Sequence, residues 1–173
     1  MTPDQAEFLL TQIYLPQLQH ERKTTRRVIE AVPADKSSYR PDPVSKTAFE
    51  LAWHLASSEC FFLNGVAAGK FERGGSMPES IKTPADILKW YDENSAQATA
   101  AVSALKGDAL IKNIDFAGVF NLPAIAYIGL MNNHSIHHRG QLATYLRPMG
   151  GKVPGIYGPS ADEPIEIPAT TKS

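Results

Sequence analysis

Apolar residues recur at helical spacing in four long stretches, each closed by proline, glycine or both. The first runs from about Pro3 to Val32, with Leu9, Leu10, Ile13, Tyr14, Leu18, Val28 and Ile29 on one side. Pro16 interrupts it and predicts a kink. The loop "PADKSSYRPDPVSK" follows. A second helix is predicted over 48–68: Thr47 can cap it while Glu50 reaches back to complete a capping box. Phe49, Leu51, Trp53, Leu55, Phe61 and Phe62 supply its bulk, and the glycine-rich "GKFERGGSMPESIK" ends it. The third opens on Thr83 as cap, with Pro84 at the first helical position, and ends near Lys106. Its middle, "ENSAQATAAVSAL", is rich in small residues that let helices approach closely. "DALIKNIDFAGVF" reads either as a short strand-like piece or as an irregular connector. The fourth helix is predicted from about Asn121 to Pro148, where Gly150 and Gly151 stop it.

Four long helices and no convincing pair of alternating strands predict an all-α fold, a four-helix bundle. The expected organisation is one domain over residues 1–173, with a long extended tail from about 151. The start of that tail should pack on the helices, and its last residues should be loose.

Composition narrows the function classes. The chain has 173 residues, 43% of them hydrophobic and 20% charged, enough to bury a core without cross-links. Its formal charge is -1, against the basic excess of a general nucleic-acid binder, so nucleic acid is not an expected partner. The basic run "HERKTTRRV" reads as a solvated helix face, with His20 in water. The lone cysteine, Cys60, reads as a small buried residue and fits a reducing compartment; with no signal-like N-terminus, a cytoplasmic location is expected. No stretch is long and apolar enough to predict a membrane span.

The candidate chemistry lies in "NNHSIHHRGQL", which holds three of the five histidines. His134 and His138 are four apart, so on a helix they sit about 40° from one another. Their stripe also carries Tyr127, Leu130, Met131, Gln141, Leu142 and Tyr145 and should face the interior. His137 projects to the side. His54, in "ELAWHLASSE", is a third candidate on another helix. Spacing alone leaves three readings open: metal ligation, hydrogen-bonded core histidines, and helix-surface polarity. Helix bundles do build metal sites from side chains on facing helices. Two further side chains could orient the imidazoles: Glu50, one turn before His54, and Gln141, beside His138. Glu50 is also the capping residue, so the two duties compete.

"ELAWHLASSE", "HSIHHRGQL" and "YLRPMGGKVPGIYGPSADE" together resemble the DinB/YfiT-like family of small bacterial metalloproteins, over nearly the whole chain. The resemblance implies a four-helix bundle that binds one divalent metal ion through His54, His134 and His138, with zinc or nickel the first candidates. His137 matches no ligand position, and Arg139, Gly140 and Gln141 match the motif without being ligands. Relatives of this fold include transferases that use a low-molecular-weight thiol. The resemblance therefore implies a metal-dependent thiol S-transferase acting on a small thiol and an electrophile, or a metal-dependent hydrolase, or else a metal-binding or stress-response protein without turnover. It also implies a homodimer, which aromatics such as Trp90, Tyr91 and Phe120 would permit.

Overall fold

The computed structural model describes residues 1–72 and 74–165. It is mostly helical. α1 (Pro3–Phe8), a π-helical segment (Leu9–Tyr14) and α2 (Leu15–Glu30) follow one another without a break. The disturbance predicted at Pro16 takes the form of this wider segment. Proline has no N–H to donate and crowds the carbonyl four residues back, and a π-helical stretch just before it absorbs the mismatch. α3 (Ala48–Ala68) and α4 (Pro84–Ser103) start where their caps predict. Thr47 with Glu50, and Thr83 with Asp86, form reciprocal capping boxes.

The connector after α4 departs from the all-α expectation. A short α5 (Gly107–Leu110) leads into an antiparallel hairpin of β1 (Asn113–Phe116) and β2 (Phe120–Pro123), and α6 (Ala124–Leu146) follows directly. The fourth helix therefore begins at Ala124 rather than near Asn121, because Asn121 pairs with Asp115 in the hairpin. Gly118 at the tip has φ +73, a left-handed conformation that costs glycine little. Its N–H donates to the Asp115 carboxylate.

α3 packs on α4 and α6, and α2 packs on the same two helices. The buried apolar residues form two clusters. One holds the C-terminal part of α2, the starts of α3 and α4, and the end of α6 (Val28, Leu51, Ile87, Leu142). The other holds the opposite ends (Leu18, Leu63, Val102, Ile128). These memberships fix the helix directions: α3 and α4 run the same way, and α2 and α6 run the other way. A connection between parallel helices must travel back along their length, and residues 69–72 and 74–83 do so.

Between the two clusters lies a layer of buried polar groups. Glu21, Thr25, Glu59, Ser95, Asn132, Ser135 and Arg139 are all buried. Arg139 is 0% exposed and pairs with Glu21 Oε2 at 2.5 Å. It also donates to the Glu21 carbonyl (3.1 Å), Thr25 Oγ1 (3.3 Å) and Tyr157 Oη (2.5 Å). Across the layer, Glu59 accepts from Arg22 (3.2 Å) and from Tyr91 Oη (2.8 Å). Burial pushes the Glu59 carboxyl up, and Arg22, Tyr91 and Arg139 oppose that shift.

Several expectations change here. The basic run on α2 is only partly solvated, because Arg22 reaches inward to Glu59, although His20 is exposed. Tyr91 is buried against Glu59, and Trp90 packs on Trp53 with ring centroids 4.7 Å apart, so of the three aromatics named above only Phe120 is exposed. The tail is not extended over 151–165. It folds back on α2 and α6 as a turn-rich loop, held by Arg147 to Asp162 (2.7 Å), Arg27 to the Gly155 carbonyl (3.1 Å) and Tyr157 Oη to Glu21 (2.8 Å). Residues 166–173, where the loose end was expected, lie outside the described residues. Among the described residues no helix is long and apolar enough to cross a membrane.

Removing one member of a buried ion pair strands the charge of the other, at a cost of about 3–5 kcal/mol. Arg139→Met should destabilise the protein by about that much in equilibrium urea unfolding, and Arg139→Met with Glu21→Met should regain most of it.

Candidate metal centre

α3 and α6 bring the three candidate histidines together. One ring nitrogen from each of His54, His134 and His138 falls within 4.8 Å of the others, and all three side chains are half-buried at the seam between the helices. The stripe that carries His134 and His138 faces the interior as expected at Tyr127, Met131, Leu142 and Tyr145, which are buried, and the two imidazoles lie half-buried at its edge. Arg139 is fully buried beside them. His137 is exposed, its ring beside that of His138 (4.8 Å) and outside the cluster.

Hydrogen bonds decide which nitrogens are free. His138 Nδ1 lies 3.0 Å from Gln141 Oε1. An amide oxygen only accepts, so the ring donates from Nδ1 and keeps its lone pair on Nε2. Gln141 thus does what its spacing suggested. Glu50 does not: its Oε2 accepts from the N–H of Thr47 (2.8 Å) and from the Thr47 hydroxyl (3.0 Å), so its capping duty prevails and it does not orient His54. The orienting group that sequence reasoning missed is Ser58. Its hydroxyl donates to the His54 carbonyl (2.5 Å), and its oxygen lies 3.4 Å from His134 Nδ1, able to accept that N–H and leave Nε2 bare. Serine one turn after a histidine is the only signal the sequence carries for this.

His54 Nε2 and His138 Nε2 stand 3.2 Å apart. Two imidazole nitrogens that close share either a proton or a cation. Zinc–nitrogen bonds of about 2.0–2.1 Å at a tetrahedral angle place two nitrogens about 3.3 Å apart, so His54 and His138 already stand at a spacing that suits a divalent ion. Their electrostatics fit as well. Burial first, then the nearby His138 and Lys46, pushes His54 down to about 4. Burial and the neighbouring histidines push His134 down to about 4, and burial lowers His138 against the raising effect of Gln141. All three are neutral at pH 7, the form that ligates a metal.

Aromatic rings close one side of the seam. Phe62 packs on His134 (5.9 Å) and stacks on Phe116 of the hairpin (5.8 Å), while Phe71 joins Phe116 (5.0 Å) and Tyr127 (4.8 Å). Gly65 makes this possible: a Cβ there would stand 2.3 Å from the Phe71 ring. On the other side the seam opens at His54 into a cleft of roughly 770 Å³. Cys60 lines this cleft but is buried, and burial followed by the Glu59 charge pushes its thiol up to about 12.

The shifted histidines predict a pH dependence for metal-stripped protein. The unfolded chain takes up protons near the ordinary value of 6.5, the folded chain only near about 4 at His54 and His134. Their contribution to stability is therefore complete above about 6.5 and is lost as pH falls toward about 4. In urea unfolding, the parent should lose more stability between about pH 7.5 and about pH 5 than His54→Gln/His134→Gln does. Equal losses would mean that these imidazoles are already solvated.

The family model described as the DinB family matches residues 8–169. The uncharacterized protein YjoA of Bacillus subtilis (strain 168) is 31% identical over 132 residues, covering 75% of this chain and 84% of that protein. The uncharacterized protein YrdA of the same strain is 24% identical over 155 residues, covering 87% and 89%. The crystal structure of the DinB-like protein YjoA from B. subtilis superposes with a TM-score of 0.68 at 25% identity, over 83% of this chain and 96% of that one. That of a DinB-like protein from Bacillus cereus ATCC 10987 gives 0.72 at 24% identity, over 83% and 95%, a likeness of fold. A match that spans both histidine-bearing helices and most of the tail leaves one assignment: the chain belongs to the DinB family.

Proposed function

We propose that this protein is a metal-dependent enzyme, built as one four-helix-bundle domain, in which His54, His134 and His138 hold a single divalent ion, zinc or nickel. The reaction we assign to it is transfer of a low-molecular-weight thiol to an electrophile. The observation that supports this reading best is the 3.2 Å approach of His54 Nε2 to His138 Nε2, with the far side of the His138 ring tied to Gln141. Three neutral nitrogens leave a bound divalent ion positively charged and open to a further ligand, so it can stabilise a thiolate at neutral pH.

The chain's own residues support this chemistry by position. Gln141 and Ser58 hold two of the imidazoles with their Nε2 lone pairs inward. Phe62 shields one side of the seam, and the cleft beside His54 leaves the other accessible. Cys60, with its thiol pushed up to about 12, is not a nucleophile near neutral pH, so the sulfur must arrive with a cosubstrate. In the transfer, the thiol proton passes to solvent and a carbon–sulfur bond forms. The bond to the leaving group breaks, and the group departs with its electron pair.

One observation favours a second reading, metal binding without turnover. Glu50, the carboxylate one turn before His54, is committed to the helix cap and is not free to act as a base.

The experiments follow directly. Elemental analysis should find about one ion per chain in the parent and almost none in His54→Ala or His134→Ala/His138→Ala. Gln141→Ala should keep the ion but bind it about 10–100-fold more weakly, measured by chelator competition. Metal-loaded parent should consume a small thiol in the presence of 1-chloro-2,4-dinitrobenzene, and His54→Ala should not. Stoichiometric metal with no thiol-dependent turnover of any electrophile would favour the second reading, and no metal after reconstitution would reject both.

A further inference from the structure

The cleft beside His54 follows from the topology. Because α3 and α4 run parallel, the described parts of their connection, residues 69–72 and 74–83, return along the face of α3. Phe71 pins the beginning of this connection in the aromatic cluster, and Ile81 pins its end in the apolar cluster. Between the two anchors Met77 also packs on the apolar cluster, and Gly74, Gly75 and Ser76 carry little bulk. Gly74 lies over Phe61, where a Cβ would stand 3.9 Å from the ring, and a Cβ on Gly75 would meet nothing within 4 Å. The connection therefore roofs α3 without filling the space beneath it.

What remains has the dimensions and lining of a small-molecule site. Its volume of roughly 770 Å³ falls within the range of about 300–1,000 Å³ usual for ligand pockets. Trp53, Trp90 and Phe61 form its walls, Asn64 and Ser76 provide polar contacts, and His54 stands at one end. The two tryptophans are tilted by 59° rather than stacked face to face, and both stay half-buried, leaving ring surface toward the cleft. Among the described lining residues, Lys70 and Glu72 pair with each other at 2.6 Å, so neither is left to select a charged ligand. The one thiol in the wall is buried and protonated, which suits a site that binds rather than reacts.

We propose that this cleft binds an uncharged, flat aromatic small molecule against Trp53 and Trp90, with one end directed at His54. Aromatic walls favour such a ligand over a saturated one of the same size, through offset and edge-to-face contacts beyond simple burial. The inference rests on the proposed function in one respect only, that the bound molecule is the electrophile of the thiol transfer. The binding itself requires no metal.

The two tryptophans are the only ones in the chain, so their indole N–H signals report on the site directly. We would titrate nitrogen-15-labelled full-length protein with 4-nitrobenzyl alcohol and, separately, with cyclohexylmethanol, a saturated analogue of similar size. The nitrobenzyl compound should shift both indole signals saturably and bind more tightly than the saturated one. Trp90→Leu, which keeps apolar bulk, should weaken the aromatic probe by about five- to tenfold and leave the saturated probe within about twofold. Asn64→Trp, at an exposed position on the cleft wall, should abolish binding of both probes while the protein remains folded. His138→Ala lies outside the cleft and removes a proposed ligand, so it should leave probe binding unchanged. Failure to bind metal together with intact probe binding would sink the proposed function and not this inference. Equal affinity for the two probes, no saturable shift, or loss of binding in His138→Ala would overturn it.

Discussion

Arg139 carries a full charge to the centre of the molecule, and the placement of α6 depends on how that charge is met. The guanidinium has no solvent to turn to, so Glu21, Thr25 and Tyr157 must stand around it. That requirement fixes how far α6 is inserted between its neighbours and how it is rotated about its own axis. With Arg139 pointing inward, helical geometry sets His138 about 100° away and His134 about 140° away, on the flank that α3 occupies. The histidines reach His54 because the arginine cannot be anywhere else. Tyr157 bonds to both Arg139 and Glu21, which draws the tail into the same constraint.

The sequence made the long helices legible because they are written in several independent ways at once. Apolar spacing, a threonine cap and its reciprocal acid agree for α3 and α4, joined by a terminal glycine, Gly69, in α3 and by Pro84 at the first position in α4. The hairpin was not legible for the opposite reason. Four-residue strands are too short to display alternation, and its turn is built on Ala117 and Gly118 rather than on an asparagine–glycine pair. The histidine cluster was legible in part. The four-residue spacing identifies one face of one helix, but His54 joined it through the family resemblance. The interior position of Arg139 left no trace, because a buried arginine and an exposed one look alike in a sequence. The competition at Glu50 was visible in advance, and its outcome was decided by reach: a capping box closes over three residues with two hydrogen bonds.

The molecule treats charge in two ways a helical turn apart. In the buried layer, Arg139 faces Glu21 and Arg22 faces Glu59, so each desolvated ion is answered from within the chain. At the seam, among the described residues, no carboxylate pairs with the histidines. Burial lowers their proton affinity, and one ring nitrogen from each lies within 4.8 Å of the others. Three neutral imidazoles so placed could hold a cation that enters from outside. Such a cation binds the folded chain and not the unfolded one, so it adds stability in proportion to its concentration over its dissociation constant. The histidines therefore weaken the empty protein by the same convergence that suits them to an ion.

The direction of the helices explains why this site has an open side. Had α3 and α4 been antiparallel, a short turn would have joined them and the exposed stripe of α3 from Trp53 to Ala68 would have faced water. Their parallel course lays residues 69–72 and 74–83 over that stripe, anchored at Phe71 and Ile81. The connection is long enough to arch and too poor in bulk at Gly74 and Gly75 to collapse onto the helix. A partly covered, largely apolar cleft thus runs up to His54, opposite the side that Phe62 closes. The topology of the helices, more than any residue of the seam itself, decides from which direction a molecule can approach the three imidazoles.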